Sequence, residues 1–73
     1  MNLAPIAEIK AKLKRTYSMF DFEVNHLSNI DSYEVICYKE RIRKGNIVMP
    51  GTTPTNVFWD NIKEWITPII RNY

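Results

Sequence analysis

Residues 43–66, RKGNIVMPGTTPTNVFWDNIKEWI, decide the fold of this chain. The tripeptide at 44–46, Lys-Gly-Asn, is typical of a tight turn between two antiparallel strands. We expect residues 47–49 to form a short strand after this turn, because Pro50 and Gly51 would stop it. The stretch therefore predicts a hairpin that leads directly into a helix.

The helix is predicted to begin at Thr53, whose hydroxyl can cap it, with Pro54 at the first position; Thr55 is an alternative cap. Thr67-Pro68 should end or kink the helix, because proline lacks an N–H donor. Apolar residues recur at steps of three and four, so one side of the helix should pack on a sheet: Phe58, Ile62, Trp65, Ile66 and Ile69.

The first half of the chain predicts one helix and two strands. Asn2 and Pro5 suit the start of the helix, and an apolar stripe follows at helical spacing: Ile6, Ile9, Leu13 and Tyr17. From residue 20 to residue 25 apolar and polar side chains alternate, as in a strand with one buried face. Residues 28–32 indicate a turn. Residues 33–43 predict a long second strand, either central in the sheet or bulged near Lys39-Glu40.

These elements predict an α+β fold in a single small domain, residues 1–73, with the order helix, three antiparallel strands, helix (αβββα). From Ile6 to Ile70 this order resembles the double-stranded-RNA-binding-like fold, which HicA-type messenger-RNA interferases also use. Those interferases carry a Gly-Ser-His motif on a strand, whereas the single histidine here, His26, follows Val24-Asn25. The resemblance concerns topology, so it implies no catalytic residue in this chain.

Composition sets broad limits on the protein. The chain has 73 residues, 45% of them apolar and 12% aromatic, which is enough to close one small core. Cys37 is the only cysteine and no leader-like apolar run is present, so we expect a reducing, cytoplasmic location. No stretch approaches the roughly 20 apolar residues of a membrane span, and we expect no membrane partner.

Charge is unevenly distributed along the chain. Residues 1–15 sum to +3, residues 16–38 to −4 and residues 39–46 to +3. This distribution predicts a bipolar surface, which favours oriented docking with a partner.

No arrangement of residues predicts catalysis. His26 sits at a hairpin end without a nucleophile arranged beside it, and Cys37 has no second ligand at metal-binding spacing. Gly45 and Gly51 are the only glycines, so the chain has no glycine-rich phosphate loop. We therefore expect a protein that is not an enzyme and uses neither a cofactor nor a metal.

The strongest surface feature is Lys39, Arg41 and Arg43 at alternate positions of the long strand, beside Lys44. Alternation would place three cations on one side of the sheet. A solvated edge strand that discourages aggregation would also explain them. As a binding surface, they would be joined by two aromatic residues, so the candidate partner-binding residues are Tyr38, Lys39, Arg41, Arg43, Lys44 and Trp59.

The bipolar charge, the aromatic residues and the missing catalytic set favour a small protein-binding module of the inhibitor or adaptor type. The alternative is an RNA- or DNA-binding module, in which the basic segment 39–44 neutralises phosphates and an aromatic ring stacks on a base. Trp59 and Ile70 lie at the border of the apolar stripe of the last helix, and a three-stranded sheet with both helices on one face leaves its other face poorly covered. Exposed apolar area of this kind predicts a homodimer or a stable complex with a partner.

Overall fold

The computed structural model describes residues 5–72. Its elements are α1 (Ile6–Thr16), β1 (Asp21–Leu27), β2 (Ser32–Lys39), β3 (Ile42–Pro50) and α2 (Thr55–Arg71). The predicted α+β class and the αβββα order are therefore confirmed.

Helix α1 begins directly after Pro5, whose carbonyl accepts from the N–H groups of Glu8 (2.9 Å) and Ile9 (3.1 Å). Ile9 and Leu13 are fully buried, and Ile6 and Tyr17 pack at their edges, so the predicted stripe is confirmed. Asn2, the predicted cap, lies outside the described residues.

The three strands form one antiparallel sheet with β2 in the centre. Val35 of β2 is paired with Val24 of β1 on one side and with Ile47 of β3 on the other, and this row faces the helices. The central position predicted for the second strand is confirmed. Burial of this row fixes the register, since a slip of one residue would turn every apolar side chain to the opposite face.

The second turn is not where the sequence predicted it. The chain reverses at Glu40-Arg41, and residues 44–46 lie inside a nine-residue β3. Cys37 is paired with Gly45 and Tyr38 with Arg43, so Lys44 is the extra residue of a β-bulge. The bulge therefore lies on β3 and not near Lys39-Glu40.

Gly45 lies within β3, beside α2, and not in the turn. A β-carbon at position 45 would lie 3.4 Å from the Ile69 Cδ1 atom and 3.7 Å from the Trp65 Nε1 atom. Both distances are ordinary van der Waals contacts, so a methyl group would fit between β3 and the second half of α2.

Helix α2 differs from the prediction at both ends. It begins after Pro54, and the Thr53 hydroxyl donates to the Pro50 carbonyl over 2.6 Å instead of capping the helix. It also continues through Pro68, in its last turn, to Arg71, although proline lacks the N–H group that would donate to the carbonyl four residues earlier. The Thr67 hydroxyl donates to the Lys63 carbonyl over 2.7 Å in the same turn.

Both helices cover the same face of the sheet. Phe58, Ile62 and Ile66 form the buried line of α2 and share one core with Ile9 and Leu13 of α1. Trp65 and Ile69, predicted within this line, are half-buried at its border. In the described part of the chain no helix covers the opposite face, which we call the uncovered face.

Candidate functional site

The predicted basic residues surround the turn between β2 and β3, and we call residues 38–44 the hairpin end. Lys39 is paired with Ile42, and the turn between them consists of Glu40 (φ 53°) and Arg41 (φ 69°). Both residues have left-handed backbone conformations, which cost a non-glycine residue roughly 1–2 kcal/mol each. The type of turn that joins two strands in this way usually contains asparagine or glycine. The hairpin end therefore holds two residues with unfavourable backbone conformations in place of the usual turn residues.

The prediction that three cations share one side of a strand is wrong. Because β2 ends at Lys39, the alternation of side chains does not continue through Arg41, which lies in the turn itself. The Lys39 Nζ atom lies 5.8 Å from the centre of the Phe20 ring, on the helix side of the sheet. Arg43 is paired with Tyr38, which belongs to the uncovered face. The cations thus surround the hairpin end and do not form a flat stripe.

Lys44 lies next to the end of α2. It lines a shallow open groove together with Pro68, Ile69 and Asn72. The bulge at Lys44 takes it out of the regular alternation of β3. The last turn of α2 is consequently part of the surroundings of the hairpin end.

Trp59 does not join the other predicted residues. Its ring packs edge-on against Phe58 with the ring centres 5.0 Å apart, and the Lys12 Nζ atom of α1 lies 4.3 Å from the ring centre. Ile69, beside the hairpin end, is ten residues further along α2, which corresponds to about 15 Å of helix. Trp59 therefore belongs to a separate groove between the helices.

Three exposed apolar residues lie at this end of the molecule, and the sequence reasoning singled out only Ile70 among them. Ile42 is 59% exposed, Met19 is 55% exposed and Ile70 is 39% exposed. Ile42 was treated as an interior strand residue, although its position between two arginines could have marked it as a surface residue. Met19 and Ile70 come from distant segments, so no local pattern links them to the hairpin.

The uncovered face next to the hairpin end is acidic. Glu34 accepts a hydrogen bond from the Asn46 side chain over 3.0 Å, and Glu23 accepts one from Asn25 over 2.9 Å. Asp21 forms an ion pair with Lys14 over 2.9 Å. Carboxylates on the face and cations at the hairpin end thus lie side by side.

The other titratable candidates offer no catalytic arrangement. The His26 Nε2 atom lies 3.1 Å from an Asp31 carboxylate oxygen, and its ring lies 5.0 Å from the Tyr33 ring. Cys37 is fully buried, as expected, and burial, assisted by the negative charge of Asp21, raises the pKa of its thiol to about 11. The thiol is therefore protonated, and poorly nucleophilic, at neutral pH. Within residues 5–72 no three His, Cys, Asp or Glu side chains are grouped as metal ligands would be.

Neither of the described helices has both the length and the apolar character needed to span a membrane. Comparison with known proteins gives no relative on which a function could rest: the chain matches no protein-family model, no curated protein and no solved structure.

Proposed function

We propose that this chain is a small non-catalytic protein-binding module, of the inhibitor or adaptor type, that docks through its hairpin end. The observation that carries the proposal is the Glu40-Arg41 turn, where two residues have left-handed backbone conformations. Such conformations are concentrated at binding sites, because selection for stability alone would replace them. Here they hold Arg41 at the tip between Lys39 and Arg43, and the positive charge suits an acidic protein surface.

The alternative function, binding of RNA or DNA through residues 39–44, is favoured by the same group of cations. Two features weigh against it. Tyr38, the aromatic residue of the hairpin end, belongs to the face that also carries Glu23 and Glu34, where a phosphate backbone would be repelled. Trp59, the second predicted stacking residue, lies in a different part of the molecule.

A homodimer through the uncovered face remains a prediction. The face offers little free apolar area, since Ile36 at its centre is only 6% exposed and Val48 is 45% exposed. Sedimentation velocity over a range of concentrations would decide whether the chain associates with itself.

Charge reversal tests the proposed function. Arg41→Glu combined with Arg43→Glu should abolish docking while leaving the core intact, because both side chains are exposed. Lys10→Glu combined with Lys63→Glu is the matched control, since it changes the charge equally on the exposed sides of the two helices. Each variant would be used to capture proteins and nucleic acids from an extract of the native host.

A protein that is retained by the wild type and the control, and lost by the hairpin variant, would support the proposal. Retention of that protein by all three would contradict it. Selective loss of a nucleic acid whose binding weakens steeply with salt would favour the alternative.

A further inference from the structure

The hairpin end combines apolar and cationic side chains in one region. Of the six large apolar residues that are exposed in the described chain, Ile42 belongs to the hairpin end, and Met19 and Ile70 lie on segments that approach it. Exposed aliphatic side chains that are grouped together, and not scattered singly, mark an interaction surface.

Contacts across the fold place Met19 and Ile70 on segments that approach the hairpin end. Ile42 is paired with Lys39, and the Lys39 ammonium lies 5.8 Å from the centre of the ring of Phe20, the neighbour of Met19 in the chain. On the other side, Gly45 approaches Ile69, the neighbour of Ile70. Ile42 therefore lies at the same end of the sheet as the connection from α1 to β1 and the last turns of α2.

The charges around Ile42 are mainly positive. Among residues 5–72, Glu40 and Asp21 are the nearby carboxylates, and Asp21 forms an ion pair with Lys14. The cations of this end are Lys39, Arg41, Arg43, Lys44 and Arg71. A partner that covers the apolar side chains would also have to bring negative charge to the exposed guanidinium groups of Arg41 and Arg43.

We propose that the hairpin end binds an acidic polypeptide segment that also carries aliphatic side chains, with Ile42 as the central apolar contact and Arg41 and Arg43 as the partners of its carboxylates. This inference rests on the proposed function and specifies the chemistry of its partner. Burial of the aliphatic side chains away from water would add affinity. The surrounding cations would fix the orientation of the bound segment and repel basic segments.

An extended polypeptide fits the surface better than RNA does. Met19, Ile42 and Ile70 are aliphatic, and such side chains give no flat ring on which a base can stack. Glu40 within the turn would also face a continuous polyanion such as RNA or an anionic membrane. A segment in which carboxylates alternate with aliphatic residues can place its charges between the cations and leave Glu40 uncontacted.

The test uses two fluorescent peptides of equal length and charge, one alternating glutamate with leucine and the other alternating glutamate with serine. Fluorescence anisotropy should show that the wild type binds the leucine peptide at least about tenfold more tightly than the serine peptide. Ile42→Ser should remove most of this preference. Ile30→Ser should keep it, because Ile30 is equally exposed (58%) but lies in the loop between β1 and β2, at the opposite end of the sheet.

Each outcome separates the inference from the proposed function. Equal binding of both peptides, lost on Arg41→Glu with Arg43→Glu, would overturn the inference and leave a module that docks by charge alone. The inference would also be overturned if Ile42→Ser kept the full preference for the leucine peptide over the serine peptide. Tighter binding of phosphatidylserine vesicles, or of a single-stranded RNA, than of the leucine peptide would overturn it as well. If neither peptide binds, the inference fails, and the capture experiment above still judges the proposed function by itself.

Discussion

Gly51 lies against the backbone of Asp31: its N–H donates to the Asp31 carbonyl oxygen over 2.7 Å, and a β-carbon at position 51 would lie 3.0 Å from the same oxygen. This contact ties the loop between β1 and β2 to the connection between β3 and α2. Asp31 itself has a left-handed backbone conformation (φ 45°), which aspartate adopts more readily than most residues.

Gly51→Ala should therefore destabilise the fold by about 1–3 kcal/mol, the usual range for overpacking a site that cannot relax. Gly45→Ala is the matched control, because its new methyl group would meet only the far end of the Ile69 side chain, at 3.4 Å. Urea denaturation of both variants would measure the difference. Equal stabilities would show that the loop moves freely.

Phe58→Ala should unfold the protein. Phe58 is fully buried, and the substitution costs about 3–5 kcal/mol, comparable to the whole stability expected of a domain this small. Trp65→Ala should cost clearly less, because Trp65 lies half-buried at the border of the core. Circular dichroism during thermal unfolding would rank the two variants. A larger loss for Trp65→Ala would mean that α2 packs through a different side.

Glu40→Asn should stabilise the protein, because asparagine tolerates the left-handed conformation of the turn better than glutamate does. A gain of about 1 kcal/mol would raise the Tm by about 4–8 °C in a domain of this size. Adding Arg41→Gly should raise the Tm further and weaken docking, whereas Glu40→Asn alone should leave docking intact. A lower Tm in both variants would show that the turn is not strained.

The alkaline side of the stability profile should depend on Cys37. Burial raises the pKa of this thiol from 9.0 to about 11. Between these pH values the unfolded chain releases the proton while the folded chain keeps it, so stability falls as pH rises, by up to about 1.4 kcal/mol for each pKa unit. Below pH 9 the thiol is protonated in both states, so its contribution to the free energy of unfolding is fully present.

Cys37→Ala has no thiol to ionise, so its stability should decline less than that of the wild type as the pH rises from 9 to 11. Urea midpoints measured for both proteins across this window would check the difference. Parallel declines would show that the thiol ionises equally easily in both states.

Most of the fold could be predicted from local patterns. The observed burial follows two of these patterns, the alternation from Phe20 to Asn25 and the stripe from Ile6 to Tyr17. Each of these two elements buries only one face, so the spacing of its apolar residues shows which face it is. The β2–β3 turn could not be placed in this way. Residues 44–46 include the glycine and asparagine that are typical of a turn, whereas Glu40-Arg41 contains neither. The position of the turn follows instead from the strand register, in which Tyr33 pairs with Met49 and Val35 pairs with Ile47.

The candidate site was predictable only in part. The cations of segment 39–44 are neighbours in the chain and stay together wherever the turn falls. Their directions depend on the position of the turn, which is why Lys39 and Arg43 are on opposite sides of the sheet. Trp59 was grouped with them on residue type alone, and only the direction of α2 shows that it lies elsewhere.

The sheet is a meander in which every strand pairs with its neighbour in sequence. Contacts between nearby segments close quickly, so we expect the three strands to assemble early and fast. During synthesis they could pair as soon as Pro50 has left the ribosome, yet Val35 and Cys37 would then still lack Phe58, Ile62 and Ile66 of α2. For that interval the nascent chain exposes an apolar sheet surface, and this is when it most needs protection by a chaperone.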